Sequence, residues 1–242
     1  MPRAELEPAR ARVLELAPEG FEEVDLGGGR VELAAYGEAA ERVLAAFPEA
    51  RVREVEAGWE ERWRAFHRPV RVGPLWVGPP WERAPRGAVA VVVDPGRAFG
   101  TGAHATTRLC LELLLGLPRG SVLDVGCGSG VLAIAAARLG HAPVVALDHD
   151  RAAVAAARAN AAANGAPVDV RRADALAEPL PPADLALANI ALESVLALAP
   201  RLDVARLVTA GYLASDEPAP AGFRRLERRE REGWAADLFE RR

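Results

Sequence analysis

The chain has 242 residues, half of them apolar, and a net charge of −4. That is ample material for a core in one large or two modest domains, and it excludes a disordered chain and a generally basic nucleic-acid-binding surface, leaving only a local basic patch open. Every lysine-or-arginine position is arginine, and the two cysteines, Cys110 and Cys127, lack metal-ligand spacing. A reducing cytoplasm is therefore expected, with no metal site. No apolar stretch is long enough to span a bilayer, and the first residues lack the apolar region of a secretory signal.

Residues 1–56 read as a small α+β unit. Glu5 to Leu16 places Leu6, Ala9, Val13 and Leu16 on one helical face. Phe21 to Leu26 and Arg30 to Tyr36 alternate apolar and polar around Gly27-Gly28-Gly29, a hairpin pattern. Glu38 to Phe47 predicts a second helix stopped by Pro48, and Arg51 to Val55 alternates again as a strand. The order αββαβ is close to a ferredoxin-like unit lacking its first strand. Nothing in it has catalytic spacing, so it is either a stabilising appendage or a module that recognises a substrate.

Residues 57–88 are rich in Pro, Gly, Trp and Arg and read as a linker. Trp59 and Trp63, four apart, share a helix face. They either pack the linker onto its neighbours or anchor a macromolecular partner.

Residues 89–242 read as one α/β domain. Ala88 to Val93 is β-prone. A loop then crowds Gly100, Thr101, Gly102, His104, Thr106 and Thr107 together before a helix over Arg108 to Leu117, which either threonine can cap. His104 is a tempting base, although an exposed loop histidine is the simpler assignment. Val122 to Val125 is a buried strand. Gly126, Gly128 and Gly130 form a turn into an alanine-rich helix beginning at Val131. Such a turn lets a ligand approach the backbone closely, and the helix start offers free N–H groups and a positive dipole end. The spacing Gly-x-Gly-x-Gly is one residue shorter than a dinucleotide fingerprint, which disfavours a nicotinamide dehydrogenase.

About twenty residues on, the strand Val144 to Asp148 ends in an acid, the position that takes ribose hydroxyls in such folds. A helix over Arg151 to Asn164 follows, then a strand Val168 to Arg171. Asp174 next to it is either an acceptor for an adenine amino group or a surface carboxylate. Further on come the strand Ala183 to Ala188 ending at Asn189, a helix Glu193 to Leu202, a strand Arg206 to Tyr212, and two closing strands whose arginines are expected to be solvated. The alternation predicts a doubly wound, mostly parallel sheet with an antiparallel edge and ligands at the C-terminal strand ends.

Asp124-x-Gly126-x-Gly128-x-Gly130 resembles the first motif of class I S-adenosylmethionine (SAM) methyltransferases, whose domain is Rossmann-like. Asp94-Pro-Gly-Arg-Ala-Phe-Gly-Thr-Gly-Ala-His-Ala-Thr-Thr-Arg-Leu-Cys-Leu111 resembles the signature of the PrmA family, which modifies ribosomal protein L-eleven. Asn189-Ile-Ala-Leu192, Trp59-x-x-x-Trp63, Pro69-Val-Arg-Val-Gly73 and Pro79-Pro-Trp81 match the same family. Glutamine-modifying relatives carry Asn-Pro-Pro-Tyr where this chain has Asn189-Ile-Ala-Leu192, which argues against them.

The resemblance implies an N-methyltransferase acting on lysine side chains and the N-terminal amine of that ribosomal protein, with 1–56 recognising it and 57–88 as a flexible linker. It implies SAM contacts from Thr107, Gly126, Asp148 and Asn189, beside Asp124, Gly128, Gly130 and Asp174 from the motif reading. Asn189 is also the candidate catalytic residue, its side-chain carbonyl taking an amine proton and orienting the lone pair. No direct contact with nucleic acid and no membrane association is expected. A methyltransferase of another protein, small molecule or RNA, and a non-catalytic binding protein that keeps the fold, are the alternatives.

Overall fold

Why a central sheet forms here follows from its strands: Val122–Val125, Val144–Asp148 and Ala183–Asn189 are short apolar runs, each followed by residues that suit a turn. The computed structural model describes residues 22–27, 30–35, 38–52, 68–94 and 102–242, with positions 9, 12, 13, 16 and 17. They fall into two units, Met1–Arg62 and Trp63–Arg242. Among them no helix is long and apolar enough to cross a membrane.

In the smaller unit, β1 (Glu22–Gly27) and β2 (Arg30–Ala34) pair antiparallel, with Gly27 opposite Arg30. Helix α1 (Glu38–Ala46) follows and ends just before Pro48. Positions 9, 12, 13 and 16 are helical, and Val13, Ala17 and Ala39 form a small core with Leu33, Val43 and Phe47 against it. Residues 51–52 carry no strand, and the rest of the strand expected at Arg51 to Val55 lies outside the described residues, as do Trp59 and Trp63.

The larger unit opens with a three-stranded sheet of β3 (Val70–Val72), β4 (Leu75–Gly78) and β5 (Val89–Val92), antiparallel then parallel. Part of the stretch read as a linker is therefore strand. Its Gly73-Pro74 pair makes a tight turn, and Trp76 is buried with its ring so close over Gly78 that a Cβ there would meet it at 2.6 Å. Glycine and proline in a hairpin turn look, in composition, the same as in a linker.

The remaining elements are α2 (Ala105–Leu114), β6 (Val122–Val125), α3 (Val131–Arg138), β7 (Val144–Asp148), α4 (Arg151–Ala163), β8 (Val168–Arg172), β9 (Ala183–Asn189), α5 (Leu192–Leu198), a 3-10 turn (Ala199–Arg201), β10 (Val204–Leu213), β11 (Phe223–Arg231) and β12 (Trp234–Arg241). Seven strands form a mixed sheet in the order β11-β12-β10-β9-β6-β7-β8, with a parallel core and β12 antiparallel to both neighbours. The order reverses between β6 and β9, where ligands bind in open sheets.

Alternate residues of each core strand face opposite ways. Val122, Leu185, Leu187 and Val208 pack with α2, α3 and α4, and with β3 to β5, on one face. Leu123, Val125, Ala186 and Leu207 pack with Leu198 and the 3-10 turn on the other. That second face has less helix: Ala173, Ala175 and Leu180, from a stretch without any, pack on it.

The closing hairpin corrects the expectation that its arginines are simply solvated. Asp237 on β12 is fully buried and accepts from Tyr212 Oη at 2.8 Å, with Arg228 Nη1 at 3.4 Å and Arg225 Nη1 at 3.6 Å. Arg228 Nη2 also donates to the carbonyls of Ala214 and Asp216, both at 2.8 Å, and so holds the start of the helix-free 214–222 segment. Burial pushes the Asp237 carboxyl upward against the pull of these guanidiniums. Removing Arg228 would leave a buried acid short of its cation, so Arg228→Ala is expected to cost on the order of 3 kcal/mol in urea unfolding. A loss near zero would show that Asp237 is held neutral and needs no cation.

Candidate functional site

The site begins with Asp124. It is the polar residue of an otherwise apolar strand, 1 % exposed, and its Oδ2 accepts from the backbone N–H of Ala133 at 3.0 Å, in the first turn of α3. This bond ties the strand to the helix across the glycine turn. Desolvation pushes the carboxyl up to about 7, with Asp148 adding to it and the Ala133 bond opposing it.

Three glycines shape the turn. Gly126, Gly128 and Gly130 all have positive φ, at 69°, 53° and 81°. A Cβ on Gly126 would meet Ile190 Cγ2 at 2.5 Å, so the strand end of β9 leaves no space for one. Gly130 has another reason to be glycine, because α4 crosses behind it and a Cβ would meet Ala157 at 3.1 Å. The buried Asn160 of the same helix donates to Ser129 O at 2.9 Å.

Asp148 ends β7 and faces the turn. Its Oδ2 accepts from Gly128 N at 2.9 Å and its Oδ1 from Asp150 N at 3.0 Å, so both oxygens are oriented by backbone. Asp174 follows β8 and its Oδ1 accepts from Leu176 N at 2.9 Å, closing a short turn on the cavity rim. Asn189 ends β9 and its Nδ2 lies 3.4 Å from Thr107 Oγ1. Thr107 is buried in the first turn of α2.

The cap of that helix is not a threonine, as the sequence suggested. His104 caps α2, its Nδ1 accepting from Thr106 N at 3.4 Å and lying 2.8 Å from Thr106 Oγ1. The helix thus starts at Ala105, three residues before the expected Arg108, and both threonines are drawn into its buried first turn. The imidazole nitrogen takes the capping role that a hydroxyl usually has.

These side chains surround a cavity of about 710 Å³. Thr107, Asp124, Gly126, Gly128, Asp148, Asp174 and Asn189 all line it; Gly130 does not, and supports the turn from behind. His149, Leu176, Ile190 and Ser194 line it too, and the sequence reading missed them. His149 and Ile190 directly follow the two strand-end polar residues, a signal that was available. Cys127 also faces the cavity, with its thiol pushed up by burial and by the two acids, and so is unreactive.

The chemistry of the cavity is specific. Two carboxylates, Asp124 and Asp148, act on each other there, and no cationic side chain among the described residues acts on Asp124. The arrangement suits a ligand that brings positive charge and hydroxyl groups, with apolar wall from Leu176, Ile190 and Leu198 around its remainder. S-adenosylmethionine, with its sulfonium, ammonium and ribose diol, fits these residues.

Residues 32–216 match the family described as ribosomal protein L11 methyltransferase (PrmA). The chain is 44 % identical over 216 residues to the ribosomal protein L11 methyltransferase of Symbiobacterium thermophilum, covering 81 % of this chain and 70 % of that one. It is 40 % identical over 201 residues to the one from Myxococcus xanthus, covering 78 % and 70 %. Among solved structures, a ribosomal protein L11 methylase from Lactobacillus delbrueckii subsp. bulgaricus superposes with a TM-score of 0.65 at 30 % identity, covering 72 % of this chain and 98 % of that one. With more than half of its residues in the match, the chain belongs to the PrmA methyltransferase family.

Proposed function

We propose that the chain methylates amines of ribosomal protein L11, at lysine side chains and the N-terminus, using SAM as donor. The observation that carries this reading is the cavity at the C-terminal strand ends, where Asp124, Asp148, Asp174, Asn189 and Thr107 converge around a glycine turn. When bound, SAM supplies an already activated methyl group, so the protein's task is to position and to exclude water. Asp148, its oxygens fixed by Gly128 and Asp150, would hold the ribose hydroxyls. Asp174 would receive the adenine, and Gly126 and Gly128 would let the donor approach the backbone. Asp124 would offset its positive charge.

The acceptor amine must be neutral to attack. For a lysine with a pKa near 10.4 this costs roughly 4–5 kcal/mol at pH 7. Burial against the apolar wall lowers that cost by disfavouring the cation. With Asn189 Nδ2 turned to Thr107, its Oδ1 is the acceptor that can take an amine N–H and aim the lone pair. The proposal extends to a ferredoxin-like recognition domain at 1–56, a linker that ends before β3, a doubly wound Rossmann-like catalytic domain that the β3 to β5 sheet opens, and a cytoplasmic enzyme without nucleic-acid contact.

The test is transfer of radiolabel from SAM to purified L11 and, separately, to a lysate lacking the enzyme. Label on L11 is expected; SAM binding with label only on another component would keep the chemistry and discard the substrate. Asn189→Ala is expected to lower kcat on the order of 100-fold. If that variant binds SAM normally and turns over at the full rate, Asn189 has no catalytic role.

A further inference from the structure

The closing hairpin reaches the first turn of α2. Trp234, the first residue of β12, meets the His104 ring edge-on, with centroids 5.0 Å apart and planes at 68°. Arg231 Nη2 bonds Glu112 at 2.7 Å, and Arg229 Nη1 lies 3.7 Å from the same carboxylate. Arg108 Nη1 lies 3.9 Å from Glu232. The hairpin tip therefore touches α2 at its cap, in its first turn and in its third.

Two features set this contact apart from ordinary packing. Glu232 has φ 53° and is the only non-glycine with positive φ among the described residues. Beside Gly233 it forms a tight turn that favours Asn or Gly, so a strained position is given to a side chain facing Arg108. In addition, Arg108 Nε and Arg231 Nε are buried with no hydrogen-bond partner. A cluster selected only for stability would satisfy such donors.

What lies at the other end of the contact is the site. His104 sets the entry into α2 by accepting from Thr106 N, and the next residue, Thr107, meets Asn189. We infer that the hairpin tip is a positioning element: Trp234, clamped to α2 by Glu112 and its two arginines, fixes the His104 cap and through it the placement of Thr107 against Asn189. Trp234 touches none of the cavity, and acts through His104. The inference rests on the methyltransferase reading of that cavity.

The test uses the full chain and three variants, Trp234→Ala, Trp234→Phe and Glu112→Gln. SAM affinity is measured by calorimetry, and kcat and KM with L11, at a temperature where each protein is folded. Because small misplacements are costly at a reacting centre, Trp234→Ala is expected to lower kcat by ~10-fold or more and weaken SAM binding by ~3-fold or more, with KM for L11 little changed. Trp234→Phe, which keeps an aromatic face, is expected to regain most of the rate. Glu112→Gln, which keeps the fold's surface and removes both ion pairs, is expected to lower kcat by ~3-fold or more. A purely structural contact would lower Tm and leave kcat of the folded protein alone. Folded variants within ~2-fold of the parent in both kcat and SAM affinity, or a phenylalanine variant as impaired as the alanine one, would overturn the positioning role. Should Trp234→Ala not fold, Glu112→Gln decides. A parent protein that binds no SAM overturns the reading of the cavity, and this role with it; a parent that transfers methyl beside unaffected variants overturns this role alone.

Discussion

Gly126→Ala is expected to remove nearly all methyl transfer while leaving the protein folded. The added Cβ would lie 2.5 Å from Ile190 Cγ2, far inside van der Waals contact, at a backbone φ of 69°. Ile190 is branched at Cβ, so its Cγ2 methyl is held close to the backbone and cannot swing clear as a flexible chain end would. It adjoins Asn189 and itself lines the cavity, so relief of the clash moves the site. Overpacking and left-handed strain together amount to ~2–5 kcal/mol, and a comparable effect on the transition state is a loss of ~30-fold or more in kcat/KM. Gly165→Ala is the control. It shares the positive φ, at 56°, with nothing within 4 Å of the new carbon. It should lose stability of about 1 kcal/mol and no activity. Equal activity in the two variants would show that the turn does not constrain the site through Ile190.

Asp124→Asn is expected to stabilise the ligand-free protein at neutral and alkaline pH while impairing SAM binding. The acid's ordinary value near 3.8 rises in the folded chain to about 7. A carboxyl raised by folding contributes stability below its unfolded value and loses it as pH climbs through the folded value. The parent should therefore weaken between pH 4 and 7 and stay weaker above, by on the order of 4 kcal/mol as an upper bound. Asparagine does not titrate, and its carbonyl can still accept from Ala133 N–H. Melting curves should show the variant ahead by ~5–10 °C at pH 8, with the advantage gone near pH 4. A pH-independent difference would rule out burial of charge as its source. The expected loss of SAM affinity rests on the proposed site and follows from the same charge, whose desolvation a cationic ligand would offset.

Much of this site could be read from residues alone, because strand ends are visible in sequence. Asp148 and Asn189 each close an apolar run, Asp174 lies two residues past a strand, and the glycines follow another apolar run; the sheet then brings those ends together. What could not be read depends on contacts between distant elements. That His104 and not a threonine caps α2 is decided by which ring nitrogen reaches Thr106 N and by Trp234, 130 positions later. That Gly130 serves α4 and not the cavity is decided by the crossing of Ala157 behind it. Arg228 read as a solvated residue because the shift in pairing between Arg225 and Glu227 breaks the simple alternation of β11. Leu176 and Ser194 line the cavity without any composition that distinguishes them from other loop and helix residues.

The two outer strands of the seven-stranded sheet have a consequence for how this chain behaves in a crowd. β8 carries Asp169, Arg171 and Arg172, and β11 carries five arginines and two glutamates in nine residues. An outer strand can template another molecule's strand, and on β8 one backbone carbonyl, that of Val170, is taken by Arg158 Nε and Nη2. For a foreign strand to dock on β11, it would have to lie beside guanidiniums already committed to Glu217, Glu230 and Asp237, on a backbone bent by the irregular pairing at Arg225 to Glu227. Charge on both outer strands, and on β11 the committed guanidiniums and the bend, thereby disfavour edge-to-edge pairing of this alanine- and valine-rich sheet.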